Sequence, residues 1–288
     1  MLNFDPARFL RIQTGTVSIA RDIGALVGRL VAEGADSLFF MGSGGAGILM
    51  QPATDLMRRA SNLPCHNVLC AEIVLTGHVA LGPKSVVIMP SLSGTTKESI
   101  AAMDYVKARG ATVISITGHA ETPLAKGADH SFVNFAEDDT SCEMFYVTSL
   151  VAVLAAMRAR GERSDYDRII AELAGLPQQL LAVKQAFEPR ADVLAQAIAG
   201  DGWHILTGSG AAWPEAYYYG MCILEEMQWI RTRPVHASDF FHGTLELVEK
   251  GVSVVVFAGE DETRPLTDRV IAFAKGYTDK LTVLDTRD

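Results

Sequence analysis

The stretch Ser85-Val86-Val87-Ile88-Met89-Pro90-Ser91-Leu92-Ser93-Gly94-Thr95-Thr96-Lys97-Glu98 decides the fold. Val86–Met89 is a short β-branched and apolar run, the pattern of a strand buried on both faces. A polar loop follows, and a helical pattern begins at Thr96 and runs to Ala108. A strand passing through a loop straight into a helix is half of a crossover unit, from which parallel sheets are built. The loop carries chemistry as well. Free N–H groups at a helix start attract anions, and the helix dipole adds to this. The hydroxyls of Ser91, Ser93, Thr95 and Thr96 can each donate to a phosphate oxygen. Gly94 allows a tight turn and a close approach. One hydroxyl is enough to cap a helix, so four predict a seat for a phosphate group.

The same alternation runs outward in both directions. Strands are predicted at Ser37–Met41, Val86–Met89, Thr112–Ile116, Trp203–Thr207, Val252–Phe257 and Leu281–Leu284. Helices are predicted at Thr16–Ala32, Ala46–Ala60, Thr96–Ala108, Ser141–Arg158, Asp165–Leu173, Ala211–Trp229 and Glu262–Lys275. The expected class is therefore α/β, with mainly parallel sheets flanked by helices and ligands at the carboxyl ends of the strands.

The chain repeats itself. FFMGSGGA (Phe39–Ala46) is echoed by HILTGSGAA (His204–Ala212), and SVVIMPSLSGTT (Ser85–Thr96) by SVVVFAGEDET (Ser253–Thr263). With 288 residues the chain is long enough for two cores. Two doubly wound domains are expected, 1–160 and 161–288, with a helical connection around 160–200. The second copy of the hydroxyl loop reads Gly259-Glu260-Asp261-Glu262. Carboxylates repel phosphate, so the first domain is expected to hold the anion and the second to do something else.

The loop Gly42-Ser43-Gly44-Gly45-Ala46-Gly47 matches G-x-G-x-x-G. Alone that is a weak sign of a dinucleotide, and Glu72, which follows a short strand-like run at Val68–Cys70, is the acidic residue such a site would use. Beside the hydroxyl loop, Ser43, Gly44 and Gly45 read better as a wall around a sugar phosphate. Apolar residues make up 49% and charged residues 20%, the balance of an ordinary globular protein. The net charge of −9, with no basic stripe, argues against a nucleic-acid partner. Cys65, Cys70, Cys142 and Cys222 show no metal-ligand spacing and read as reduced thiols. The start, MLNFDPARFLRIQTG, lacks the apolar core of a secretory leader. The longest apolar run, Leu150–Met157, is too short to span a membrane. No membrane, metal or cofactor is expected, and the compartment expected is the cytoplasm.

Strand–GSG–helix followed by strand–SxSGxTxE–helix resembles the sugar isomerase (SIS) domain, with Ser91, Ser93, Gly94, Thr96 and Glu98 on its motif. The resemblance covers essentially the whole chain as two such units. It is similar to the isomerase half of glucosamine-6-phosphate synthase. Over Ile223–Lys250 it is closer to the deglycases that cleave 6-phosphorylated fructosamines. In those relatives a helical glutamate is followed sixteen residues on by the histidine of an HG pair; here these are Glu226 and His242-Gly243. The resemblance implies Glu226 as base and His242 as acid, with His236 as a second candidate. Periodicity alone does not choose between Glu226 and Glu225. On an α-helix Glu226 would share a half-buried face with Ile223 and Ile230. Ala46 stands where relatives often have serine, Ile223 where the synthase has lysine, and Ser141-Cys142-Glu143 lacks another lysine. Relatives usually continue past the position of Asp288 with a further strand and a tail that covers the site, so either the protein is naturally short or the sequence ends before the protein does.

The resemblance thus implies a deglycase that releases glucose 6-phosphate and a free amine. An aldose–ketose or amidotransferase-type isomerase is a second reading, which the missing lysines and the lack of a glutaminase domain disfavour. A non-catalytic sugar-phosphate sensor is a third, disfavoured because no segment is left for a DNA- or partner-binding module. A homodimer with shared sites is expected. The run Pro234–Leu247, with Phe240, Phe241 and Gly243, suits a packed interface, and in relatives this segment reaches across a dimer.

Overall fold

The computed structural model describes residues 1, 4–137 and 140–288. The chain divides into two compact units, Met1–Ala186 and Phe187–Asp288. The first unit opens with α1 (Pro6–Ala32), followed by β1 (Ser37–Gly42), α2 (Gly45–Ile48), α3 (Gln51–Ala60), β2 (Cys65–Leu69) and α4 (Cys70–Thr76). β3 (Ser85–Ser91), α5 (Lys97–Lys107), β4 (Thr112–Thr117), α6 (Pro123–Gly127) and β5 (His130–Val133) come next. α7 (Ser141–Ala159), α8 (Tyr166–Glu172) and α9 (Leu176–Ala199) complete the helical region, and the unit boundary falls inside α9.

That boundary lies later than the expected 160/161 division, and packing explains why. Tyr166 of α8 is buried against Leu154 and Ala155 of α7. Arg21 donates to the Ile170 carbonyl at 3.1 Å, and Lys184 pairs with Glu143 at 3.0 Å. These contacts tie the stretch after α7 to the first unit. α1 starts at Pro6 and not at the expected Thr16. The Asp5 carboxylate accepts from the Ala7 N–H at 2.8 Å, and Pro6 takes the first helical position, where it loses no hydrogen bond. α7 is long and apolar enough in composition to cross a membrane, but 61% of its apolar window is buried and it packs along α1 as a core helix.

The first sheet is parallel, in the order β2-β1-β3-β4-β5. Its side chains alternate between two buried faces. Phe39, Met41, Val87, Met89 and Val113 pack against Ile73, Ala102, Met103, Val106 and Leu124 of the covering helices. Their neighbours Leu38, Phe40, Ile88 and Ile114 are equally buried on the opposite face. Each such side chain contributes about 1.5–3 kcal/mol on leaving water, which is why β1 and β3 are apolar almost throughout. From β1 the chain turns to β2 on one side and then crosses to β3 on the other. The loops after β1 and β3 therefore part company and leave a crevice above their carboxyl ends.

The second unit repeats the plan with β6 (Trp203–Gly208), α10 (Trp213–Tyr218), β7 (Arg231–His236), β8 (Ser253–Ala258), α11 (Arg264–Ala274) and β9 (Lys280–Asp285). Its sheet is parallel, in the order β7-β6-β8-β9, so its crevice lies after β6 and β8. Ile205, Val254 and Val256 pack on one face with Phe240, Val270 and Ala274, while Leu206, Val255 and Phe257 pack on the other with Ile198, Ala216 and Leu224. The expected Ala211–Trp229 helix is in fact composite. α10 widens after Tyr218 into a π-helical turn over Tyr219–Met227.

Candidate functional site

In the first unit the glycine loop and the hydroxyl loop meet at the crevice. Gly42 and Gly47 are glycines because their backbones touch: a Cβ on Gly47 would lie 2.8 Å from the Gly42 carbonyl oxygen. Gly44 has φ +56°, and a Cβ there would meet open space, so the surface above it is free. Ser43 Oγ lies 3.5 Å from Ser99 Oγ in the first turn of α5, and the Cys70 thiol donates to Ser99 at 3.8 Å. Burial pushes the Cys70 pKa up, against the hydrogen bonds to Ser99 and Ser43. Cys70 thus stays a neutral donor that braces the two loops from behind. Ser99 follows directly on the Ser91–Glu98 motif and was not singled out in the sequence; its role depends on the β1–β3 crossover.

The hydroxyl loop is internally ordered. Buried Ser91 Oγ accepts from the Gly94 N–H at 3.1 Å and lies 3.2 Å from Thr96 Oγ1. Ser93 Oγ accepts from both the N–H (3.3 Å) and the hydroxyl (3.2 Å) of Thr95. Ser93 and Thr95 are exposed, and Gly94 takes φ +63°. Thr96 stands at the cap of α5, yet no side chain caps that helix. A helix start leaves its first N–H groups without intrahelical partners, and here the cap hydroxyl turns to Ser91 instead. The loop is thus more than a cap. Glu72 sits exposed in the first turn of α4, past the end of β2, and not at the strand end that a dinucleotide ribose would need.

The expected catalytic pair lies in the second unit. Glu226 is exposed on the π-helical turn, and so is Glu225, so the half-buried face expected from α-helical spacing does not form. The wider turn breaks the 3.6-residue period on which that expectation rested. The two glutamates differ in their partners. Thr232 Oγ1 donates to Glu225 Oε1 at 2.5 Å, whereas Glu226 makes no side-chain hydrogen bond or ion pair among the described residues. Just beyond, Trp229 takes φ +58°, the one non-glycine left-handed backbone among the described residues, and is 89% exposed. Such strain persists where surroundings impose it and gathers at functional sites.

His242 is exposed at the end of a 3₁₀ turn, Phe240–His242, ahead of Gly243 at φ +150°. Fully buried Phe240 anchors the turn edge-on to Phe241 and Phe273, with Arg269 over the Phe241 ring at 3.9 Å. His242 makes no side-chain hydrogen bond among the described residues, and none joins it to Glu226. The alternative acid, His236, is already engaged, its Nδ1 lying 2.7 Å from Ser238 Oγ. None of the four cysteines forms a disulfide. Among the described residues no group of three or more His, Cys, Asp or Glu is placed to hold a metal ion.

Two parallel, doubly wound α/β units, one with a hydroxyl-lined crevice at its switch point, define the class as a double α/β protein. Within that class the chain belongs to the SIS-domain family, whose pattern matches residues 33–159. It is similar over most of its length to the fructosamine deglycase FrlB of Bacillus subtilis (strain 168). The two are 31% identical over 275 residues, 94% of this chain and 83% of that protein. It is also similar to the fructoselysine 6-phosphate deglycase of Escherichia coli (strain K12), at 27% over 263 residues, 91% and 77% of the two chains. The C-terminal domain of glucosamine-fructose-6-phosphate aminotransferase from Francisella tularensis has the same fold. Its TM-score is 0.84 at 16% identity, covering 98% of this chain and 88% of that one.

Proposed function

We propose that this chain is a deglycase acting on a 6-phosphorylated fructosamine, an amine or amino acid joined to C1 of fructose 6-phosphate. The observation that carries the reading is the head of α5, where four hydroxyls gather and none caps the helix. The similarity to two deglycases supports the choice of substrate class. In this reading the first unit seats the phosphate with Ser91, Ser93, Gly94, Thr95 and Thr96, while Ser43, Gly44 and Gly45 line the sugar. The second unit contributes Glu226 and His242.

Glu226 takes the proton from C1 of the open-chain substrate, next to the C2 carbonyl. The electron pair forms the C1–C2 double bond of an enaminol, and His242 protonates the carbonyl oxygen. Return of a proton to C2 leaves a C1=N imine. Water adds to C1, and the C–N bond breaks to give the aldehyde of glucose 6-phosphate and the free amine. A histidine suits the acid because it gains and loses a proton near neutral pH. The remote phosphate supplies binding energy that holds C1 and C2 against the base. These proton transfers and the hydrolysis need neither a metal nor a redox cofactor. We read the enzyme as a cytoplasmic homodimer in which Glu226 and His242 of each site come from different chains.

The test is incubation with several 6-phosphofructosamines and, separately, with fructose 6-phosphate, followed by assays for glucose 6-phosphate and free amine. Release of amine with glucose 6-phosphate is the expected result. Glucose 6-phosphate from fructose 6-phosphate alone would make the protein an isomerase that stops before hydrolysis.

A further inference from the structure

The two crevices start from the same backbone and end differently. Gly42-Ser43-Gly44 after β1 corresponds to Gly208-Ser209-Gly210 after β6. Gly44 and Gly210 share a left-handed conformation, with φ of +56° and +54°. Thr96 stands at the cap of α5 and Thr263 at the cap of α11. Above Gly44 a Cβ would meet nothing within 4 Å, whereas above Gly210 it would run into both carboxylate oxygens of Asp261. The space that is open in the first unit is filled in the second.

What fills it is held as an anion would be. Asp261 Oδ2 accepts from the Ala211 N–H at 2.8 Å, in the loop after β6. Its Oδ1 accepts from the Thr263 N–H at 2.9 Å and from the Thr263 hydroxyl at 2.5 Å, at the head of α11. Thr263 Oγ1 in turn lies 2.9 Å from Ser209 Oγ, which donates to the Thr263 carbonyl at 3.1 Å. One carboxylate thus draws together backbone donors and a hydroxyl from both loops of the switch point, where such folds receive ligands. Backbone N–H groups at a helix start favour negative charge whatever its source.

We infer that Asp261 is a built-in ligand: its carboxylate fills, in the second unit, the anion seat that the first unit leaves open, so each chain takes one phosphate group and refuses a second. The inference rests on reading the Ser91–Thr96 loop as the open seat. It accounts for a repeated loop that keeps only the Thr263 hydroxyl and still gathers its backbone donors around one anion. The carboxylate supplies from within the acceptor oxygens that a ligand supplies in the first unit. The second unit is then free to present Glu226 and His242 to a substrate seated elsewhere.

The experiment counts radiolabelled inorganic phosphate bound per chain, by equilibrium dialysis of the full chain. Four proteins are compared: the wild type, Ser91→Ala/Thr96→Ala, Asp261→Gly, and the triple variant. The expected counts are one, none, two and one. If Asp261→Gly binds no more than the wild type, Asp261 is a structural staple only and the inference is overturned. If Ser91→Ala/Thr96→Ala still binds like the wild type, the reading of the first loop fails instead, and Asp261→Gly against the wild type still decides the second. Melting gives an independent readout. Phosphate should raise the melting temperature of the triple variant and not that of Ser91→Ala/Thr96→Ala, because only the former has an empty seat. Should Asp261→Gly fail to fold in dilute buffer, folded protein should be recovered in phosphate and not in chloride of equal ionic strength. Equal recovery in both would overturn the inference.

Discussion

Glu225 is tied to the start of β7 by a 2.5 Å hydrogen bond from Thr232, while Glu226, the next residue on the same π-helical turn, is held by no side chain among the described residues. A base must be free to receive a proton, and of the two only Glu226 has both oxygens uncommitted. Glu226→Gln is therefore expected to lower kcat by about 10²–10⁴-fold, with substrate binding kept because the shape is kept. Glu225→Gln should retain most turnover. Steady-state kinetics of the two variants checks this, and the reverse ranking would exchange their roles.

Ser91→Ala/Thr96→Ala removes the paired hydroxyls at the head of α5. Hydrogen bonds to a charged group are worth about 1.5–3 kcal/mol each, so binding of a phosphorylated fructosamine should weaken by a few kcal/mol in total. Calorimetric titration with the phosphorylated and unphosphorylated forms separates the effects. An equal loss for both would mean that the loop does not hold the phosphate.

What could be read from the sequence follows burial. β1, β3, β4, β6 and β8 lie inside their sheets, are buried over nearly their whole length and carry a run of apolar or β-branched residues, so each announces itself. β5 and β7 are edge strands and were not expected. His130–Val133 alternates half-buried and exposed, and Arg231–His236 carries two arginines and a proline. Edge strands keep charge and proline because one side of their ladder faces outward. β2, the other edge of the first sheet, showed only as Val68–Cys70. The four hydroxyls of the Ser91–Thr96 loop could be read as residue types, whereas their pairing with one another and with the Gly94 N–H could not. The surroundings of Glu226 were not legible, because a π-helical turn has no periodicity that a short segment can reveal. The carboxylates of Glu260, Asp261 and Glu262 could be read from the sequence as groups that repel phosphate, but that Asp261 reaches the N–H groups of Ala211 and Thr263 depends on how the two loops fold.

If Glu226 and His242 of one site belong to different chains, two dead variants should revive each other. Glu226→Gln mixed with His242→Asn, under conditions that exchange subunits, gives heterodimers with one doubly altered site and one intact site. Activity should return towards half that of the wild type per heterodimer. A mixture that stays inactive after confirmed exchange, or a fully active monomer by light scattering, would rule out the shared site.

Acid should loosen the fold through two histidines. Burial lowers the pKa of His66 from 6.5, with repulsion from His78 adding to it, and burial likewise lowers that of His204. The unfolded chain binds these protons near 6.5 while the folded chain does not, so the unfolded state gains as pH drops. The stability involved is fully present above about 6.5 and is lost as pH falls towards the lowered values. Urea midpoints measured from pH 7.5 down to 5.5 should fall. The fall should be shallower in His66→Gln and in His204→Asn, whose amides can stand in for a ring nitrogen without titrating.

The seat proposed at Ser91–Thr96 consists of hydroxyls and backbone N–H groups, none of which carries a formal charge, on a chain whose net charge is −9. A clamp of lysines and arginines draws an anion from a distance and loses that pull in salt. On that proposal the long-range field would oppose a phosphorylated ligand, and attraction would begin only at contact. Added salt screens the repulsion within a Debye length of about 8–10 Å and leaves the short hydrogen bonds nearly untouched. Encounter with substrate should therefore quicken modestly as ionic strength rises, the reverse of what electrostatic steering produces.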